Sequence, residues 1–132
     1  MKAIRVQKTG GPEVLEYLEV ADLKPGKGQL LVQVEVAGVN FIDTYHREGL
    51  YPLEIPFSPG IEAAGIVREV GPDVTDFRPG ERVVYCLSIG SYAEQALVVL
   101  YIAVRLPEKV GLVEGVTALC QGMTAHYLTT VC

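Results

Sequence analysis

Gln29-Leu30-Leu31-Val32-Gln33-Val34-Glu35-Val36-Ala37 runs directly into Gly38-Val39-Asn40-Phe41-Ile42-Asp43-Thr44-Tyr45-His46-Arg47-Glu48-Gly49-Leu50-Tyr51-Pro52. In the first part, Leu30, Val32, Val34 and Val36 occupy every second position, which is the period of a strand with one buried face. The alternation stops at Gly38. A short helical turn is predicted to begin at Asn40, and Tyr51-Pro52 closes it with a bend. Asn40, Asp43, Thr44, Tyr45 and Tyr51 are thereby gathered at the end of a strand, where a rigid scaffold can aim them at a ligand. The segment reads as one wall of a functional site.

Working outward, residues 2–8 alternate as a strand, Gly10-Gly11-Pro12-Glu13 turns the chain, and Leu15 to Val20 returns as the second arm of a hairpin. Lys24-Pro25-Gly26-Lys27-Gly28 is a break. Downstream, Pro52, Pro56 and Pro59 exclude regular structure. Ile61 to Val70 becomes a strand in which Gly65 suggests a bulge or a close backbone approach. Turns at Gly71-Pro72-Asp73 and Phe77-Arg78-Pro79-Gly80-Glu81 precede a strand over Arg82 to Cys86. A loop covers Ser88 to Ser91, and Tyr92 to Val104 has strand character up to Leu106-Pro107-Glu108. From Val113 onward, Val116, Leu119, Met123 and Leu128 fall near helical spacing. Gly111, Gly115 and Gly122 interrupt them at about 1 kcal/mol per mid-helix glycine, so two short helices are predicted. Short strands between Gly/Pro turns, followed by helices, give a mainly β (α+β) fold, an antiparallel barrel-like domain.

A chain of 132 residues suits one domain with a sizeable core. An apolar fraction of 49 % and a charged fraction of 20 % are globular values. A net charge of −5 with no block of Lys or Arg argues against nucleic acid as a partner. No apolar run approaches the roughly 20 residues of a membrane helix. Met1-Lys2-Ala3-Ile4-Arg5-Val6 lacks a signal-peptide core, so a cytoplasmic location is the default expectation. Cys86, Cys120 and Cys132 are odd in number and widely separated, which suggests neither a disulfide framework nor a metal-binding pair. His46 and His126 have no ligand-spaced neighbours, so no metal is expected.

The candidate residues each carry a plain reading beside a functional one. Asn40, with Asp43 three positions later, resembles a helix-capping box, a role whose loss costs about 1 kcal/mol without any chemistry. It serves equally as a ligand donor, or as both. Asp43 and Thr44 are either solvated first-turn residues or groups facing a polar ligand. Tyr45 and Tyr51 either pack their rings and expose their hydroxyls, or bind a flat conjugated ring. His46 reads as a surface residue beside Arg47 and Glu48. Glu62, in a small apolar run, is either a buried carboxylate needing Arg or backbone donors, or a strand-end charge; structural service fits it best. Gln121 and Thr124, at the start of the last helix, would present donors near a helix N-terminus. There is no GxGxxG, P-loop, GxSxG or paired-carboxylate arrangement.

The ordered pieces Gly10-Gly11-Pro12-Glu13-Val14-Leu15, Ala37 to Tyr45, Gly49-Leu50-Tyr51-Pro52, Pro59 to Val67, Val70-Gly71-Pro72-Asp73-Val74 with Phe77 to Val83, and Gln121 to Leu128 resemble a known pattern. It is the N-terminal part of the zinc-independent quinone oxidoreductases, the zeta-crystallin group of the medium-chain dehydrogenase/reductase superfamily. The resemblance implies a GroES-like, partly open antiparallel barrel over residues 1–118. Residues 119–132 would begin a linker helix toward a Rossmann domain that this chain does not contain. It implies NADPH as cofactor and hydride transfer to a quinone or enone. Zinc-dependent relatives carry a Cys at the place of Asn40 and a His at that of Ile61. Without a metal, hydrogen-bond donors must meet the developing oxyanion, and the resemblance assigns that role to Asn40 and Tyr51. It places Phe41, Ile42, Asp43, Thr44 and Tyr45 on the nicotinamide side, with Gln121, Thr124 and Tyr127 near the cofactor. Leu97 to Val116 departs from the family pattern. Homo-oligomerisation stays open, because the family's dimer surface is expected to lie outside this chain. Two other readings stand beside this one: a non-catalytic GroES-like binding or assembly module, and a zinc-dependent alcohol dehydrogenase, which the residues at positions 40 and 61 disfavour.

Overall fold

The computed structural model describes residues 1–131, so Cys132, one of the three cysteines read above, lies outside the described residues. Strands β1 (Lys2–Val6) and β2 (Leu15–Glu19) pair as the expected antiparallel hairpin, with Val6 opposite Leu15. Five further strands form one antiparallel sheet: β3 (Gln29–Ala37), β4 (Glu62–Val70), β5 (Arg82–Cys86), β6 (Gln95–Val99) and β7 (Ala103–Arg105). Their order is β6-β3-β4-β5-β7. Single bridges from Ala3 to Ala93 and from Val6 to Phe57 tie the hairpin to the rest.

Connectivity forces this sheet to curl. Five flat strands spaced by about 4.8 Å would hold the two edges roughly 19 Å apart. Yet β6 and β7, the two edges, are joined only by the 3₁₀ turn Leu100–Ile102. Even fully extended, that link spans about 14 Å, and a 3₁₀ turn is much shorter. The edges must therefore approach each other, and the result is the partly open barrel. The same turn explains why the strand character expected over Tyr92 to Val104 resolves into two strands rather than one.

Inside the curl, Leu30, Val32, Ala63, Val67, Val83, Tyr85, Ala96 and Val98 make the main core, with Phe77 and Val74 closing it. Val34 packs against this core, but Val36 does not share its face. Glu35 is skipped in the pairing of β3 with β4, and the bulge inverts the alternation. Val36 instead joins a second cluster built by Ala64, Val84, Leu106 and Val116. Gly65 sits opposite Val34 at this bulge, where a Cβ would lie on the carbonyl oxygen of Gln33. The close approach expected from the sequence is therefore what the bulge requires.

The C-terminal segment differs from the expectation of two helices separated at glycines. Helix α2 (Leu112–Val116) passes through a π-helical stretch (Thr117–Gly122) into α3 (Met123–Thr130) without a break. Gly111 caps the start, and Gly115 is packed so tightly on Leu106 that a Cβ would collide with it. That contact offsets the cost of a helical glycine, and the wide π turn absorbs the misfit between the two helices. No helix among the described residues is long and apolar enough to cross a membrane.

Candidate active site at the end of strand β3

Helix α1 (Phe41–Glu48) follows β3 after three residues. It starts because Asn40 is extended (φ −124°, ψ 151°) and its backbone N–H donates to Asp43 Oδ2 at 2.9 Å. It stops at Gly49, which adopts the left-handed conformation. The chain then folds back, and the Tyr51 N–H donates to the Tyr45 carbonyl at 3.3 Å.

Asn40 is thus the cap by position, with Asp43 supplying its half of the capping box. The Asn40 amide nitrogen goes elsewhere: Nδ2 donates to Glu62 Oε2 at 2.9 Å. Glu62 is fully buried, and its Oε1 accepts the Cys120 N–H at 2.8 Å. Of the two readings open for Glu62, the buried carboxylate is correct, and its donors are an amide and a backbone N–H. One carboxylate therefore ties β4 to the start of α1 and to the π-helical stretch. Only glycine fits at position 38, since a Cβ there would fall on Glu62 Oε2.

Asp43 is buried, with 6 % of its surface exposed. Its Oδ2 also accepts the Tyr92 hydroxyl at 2.7 Å, while Oδ1 has no partner. Burial pushes the Tyr92 pKa up, and the hydrogen bond to Asp43 and the Asp43 and Glu62 charges add to the rise. Its hydroxyl accordingly stays a proton donor across the ordinary pH range. Sequence reasoning placed Tyr92 in a strand and gave it no role. No local signal marked it: Tyr92 stands between Ser91 and Ala93-Glu94-Gln95, and its hydroxyl's partner lies 49 positions earlier. Asn40, Asp43, Thr44, Pro59 and Tyr92 border a small pocket of about 150 Å³.

Further along α1, aromatic rings pack edge to face: Phe41 to Tyr45 with centroids 5.3 Å apart, and Tyr45 to Tyr51 at 5.4 Å. Phe41 is 75 % exposed and Tyr51 half exposed, so the ladder presents apolar faces outward. His46 is buried, at 7 % exposure, rather than on the surface as its charged neighbours suggested. The fold-back after Gly49 lays the Tyr51 ring beside it, with centroids 6.3 Å apart.

The structure brings Asn40, Asp43 and Thr44 together, and Gln121 joins them by donating to the Val39 carbonyl at 3.2 Å. Tyr51 stands at the other end of α1 and does not border the Asn40 pocket. Ile42 is half-buried, and the Thr44 hydroxyl donates to the Phe41 carbonyl at 2.7 Å. The Thr124 hydroxyl donates to the Cys120 carbonyl at 2.7 Å, and Tyr127 is exposed on α3. Positions 121–124 lie within continuous helix rather than at a helix N-terminus, so their backbone donors are already used by the turns before them.

Two cysteines complete the surroundings. Cys86 is the β5 partner of Glu62, and Cys120 donates its N–H to Glu62. Residues far apart in sequence are thus neighbours in space. Burial pushes the Cys86 thiol up, the Glu62 charge adds to this, and a hydrogen bond with Cys120 offsets part. The Cys120 thiol is raised by burial, then by Glu62 and Cys86. Among the described residues, no group of three or more His, Cys, Asp or Glu side chains is placed to hold a metal ion.

Comparison with known proteins agrees with this geometry. Residues 26–130 match the family model described as the alcohol dehydrogenase GroES-like domain. A probable quinone oxidoreductase of Schizosaccharomyces pombe is 41 % identical over 126 residues, covering 95 % of this chain and 38 % of the relative. A 2-haloacrylate reductase of a Burkholderia species is 42 % identical over 130 residues, covering 93 % of this chain and 39 % of that protein. The crystal structure of Escherichia coli quinone oxidoreductase complexed with NADPH superposes with a TM-score of 0.94 at 37 % identity, covering 99 % of this chain and 41 % of that one. The chain thus spans about two fifths of the length of these relatives. The matched family model shows that the chain belongs to the alcohol dehydrogenase GroES-like domain family, and nearly its whole length is similar to the N-terminal part of quinone oxidoreductases.

Proposed function

We propose that this chain is the N-terminal catalytic-domain portion of an NADPH-dependent, zinc-independent oxidoreductase that transfers a hydride to a quinone or an enone. Residues 1–118 are its GroES-like domain in this reading, and the chain from residue 119 onward leads toward a nucleotide-binding domain. The observation that carries the reading is the Asn40 side chain, held at the rim of a small, mainly apolar pocket by the buried Glu62. An amide nitrogen has two N–H donors. Glu62 takes one and fixes the plane of the group, which leaves the second oriented toward an incoming carbonyl oxygen. Such a preorganised donor does what a Lewis acid would otherwise do.

The residues fit the nicotinamide end of the cofactor. Exposed Val39 and Phe41 offer a flat apolar surface next to Asn40, and Tyr127 adds another on α3. Bound there, NADPH would supply the hydride. The protein's share is orientation: Asn40 donates to the substrate oxygen, the aromatic ladder that ends at Tyr51 excludes water, and Gln121 secures the Val39 carbonyl.

Activity is tested by following NADPH absorbance with 1,4-benzoquinone and an α,β-unsaturated ketone in a chain that includes the nucleotide-binding domain. Oxidation of NADPH with either acceptor is expected, and none with both would refute the reading. The 132 residues alone are expected to bind NADPH poorly, because no phosphate-binding loop is among them. A second reading, a non-catalytic module, is favoured by the exposed Val39, Phe41, Leu50 and Tyr51. A defined oligomer in light scattering, with no cofactor-dependent activity, would select it.

A further inference from the structure

Cys86 ends β5 and Cys120 stands in the π-helical stretch, yet the two meet at Glu62. Cys86 is the antiparallel partner of Glu62, so their side chains leave the same face of the sheet, with Cα atoms about 4.5–5.5 Å apart. Glu62 is fully buried, and its Oε1 accepts the Cys120 N–H at 2.8 Å, which brings the backbone of residue 120 over that face. The two thiols are hydrogen-bonded to each other. Both are free and half-buried, so a small oxidant can reach them.

A disulfide forms where the Cβ atoms approach to about 3.8 Å and the side-chain vectors converge. Thiols already in contact need only a side-chain rotation and a small shift of one backbone segment to reach that state. β5 is held between β4 and β7 and cannot supply the shift. The π-helical stretch can, because its wide turn is a local irregularity between two α-helices. Burial, then the Glu62 charge, pushes both thiols up. They stay protonated at neutral pH and react slowly there.

We propose that Cys86 and Cys120 form a dithiol site that a hydroperoxide oxidises to a disulfide within the chain, pinning the π-helical stretch to the end of β5. One thiolate first attacks the peroxide; the O–O bond breaks, a sulfenic acid forms, and water leaves when the oxidant is hydrogen peroxide. The second sulfur then displaces the hydroxyl group, which makes the S–S bond and releases another water. The two thiols give up two electrons and two protons, and the peroxide takes both. The site is independent of the reaction proposed above.

The experiment exposes the purified protein to excess hydrogen peroxide, then unfolds it in N-ethylmaleimide for intact-mass measurement and peptide mapping. One disulfide between Cys86 and Cys120 is expected, with Cys132 still alkylated and both thiols recovered by dithiothreitol. Its rate should rise about tenfold per pH unit between about pH 7 and 9, following the thiolate fraction. In urea the same treatment should favour the shorter loop between Cys120 and Cys132. In the folded state, Cys132→Ser should pair its remaining thiols as the parent does. Sulfinic or sulfonic acid at both positions without a disulfide, pairing through Cys132 or between chains in the folded state, or both thiols still free at about pH 9 would each overturn the proposal. So would Cys86–Cys120 pairing that dominates equally in urea.

Discussion

The side chain of Asn40 is bonded to Glu62, 22 residues further along the chain, at 2.9 Å between Nδ2 and Oε2. This contact joins the end of β3 to the first residue of β4, and the second oxygen of Glu62 extends it to Cys120. The candidate donor is therefore held by a residue that cannot itself reach solvent.

Glu62→Gln should destabilise the domain. Its carbonyl can accept from only one of the two donors, and its own NH₂ then faces the other. The expected loss is about 1–3 kcal/mol in urea unfolding. A midpoint unchanged from the parent would show that the carboxylate is not the tie described.

Tyr92→Phe removes the 2.7 Å bond to Asp43 and leaves a buried carboxylate with one donor, the Asn40 N–H. A hydrogen bond to a charged group contributes about 1.5–3 kcal/mol, and a loss of that size is expected in thermal or denaturant unfolding. A neutral substitution would mean that Asp43 finds a substitute partner.

Gly65→Ala should prevent folding or cost several kcal/mol, because its Cβ would overlap the Gln33 carbonyl at the bulge. Far-ultraviolet circular dichroism of the variant checks this, and a native spectrum with an unchanged melting temperature would contradict the packing.

Much of this was legible in the sequence, and the omissions have physical causes. The alternation of Leu30, Val32 and Val34 identified β3, and Asn40 with Asp43 identified the helix start, because both signals are local. Val36 was misplaced because a bulge depends on the partner strand, not on the residues of β3. The burial of His46 depends on where Tyr51 folds back, and the role of Tyr92 on an aspartate 49 positions earlier. The neighbouring thiols of Cys86 and Cys120 arise only because the π-helical stretch passes the end of a strand. Such contacts between distant residues leave no spacing to read.

Stability should fall at alkaline pH. Cys86 and Cys120, ordinarily near 9.0, are raised in the folded state. Tyr85 is pushed by burial from 10.0 to about 12, with its hydrogen bond to Ser91 opposing the shift. In each case the folded chain holds a proton that the unfolded chain has released, so the stabilisation is complete below about pH 9 and disappears as pH rises toward 12. Urea midpoints measured across that interval should decline, and the decline should be shallower in Tyr85→Phe. A flat profile would contradict the burial of these groups.

The most direct measurement of the central claim is kcat for quinone reduction by NADPH in a chain carrying the nucleotide-binding domain, compared among the parent, Asn40→Ala and Tyr51→Phe. If a neutral donor polarises the acceptor in place of a metal, kcat should drop by about 10²-fold or more on loss of Asn40, whereas loss of the Tyr51 hydroxyl, at the other end of α1, should change it little. Turnover equal to the parent in Asn40→Ala would contradict the account.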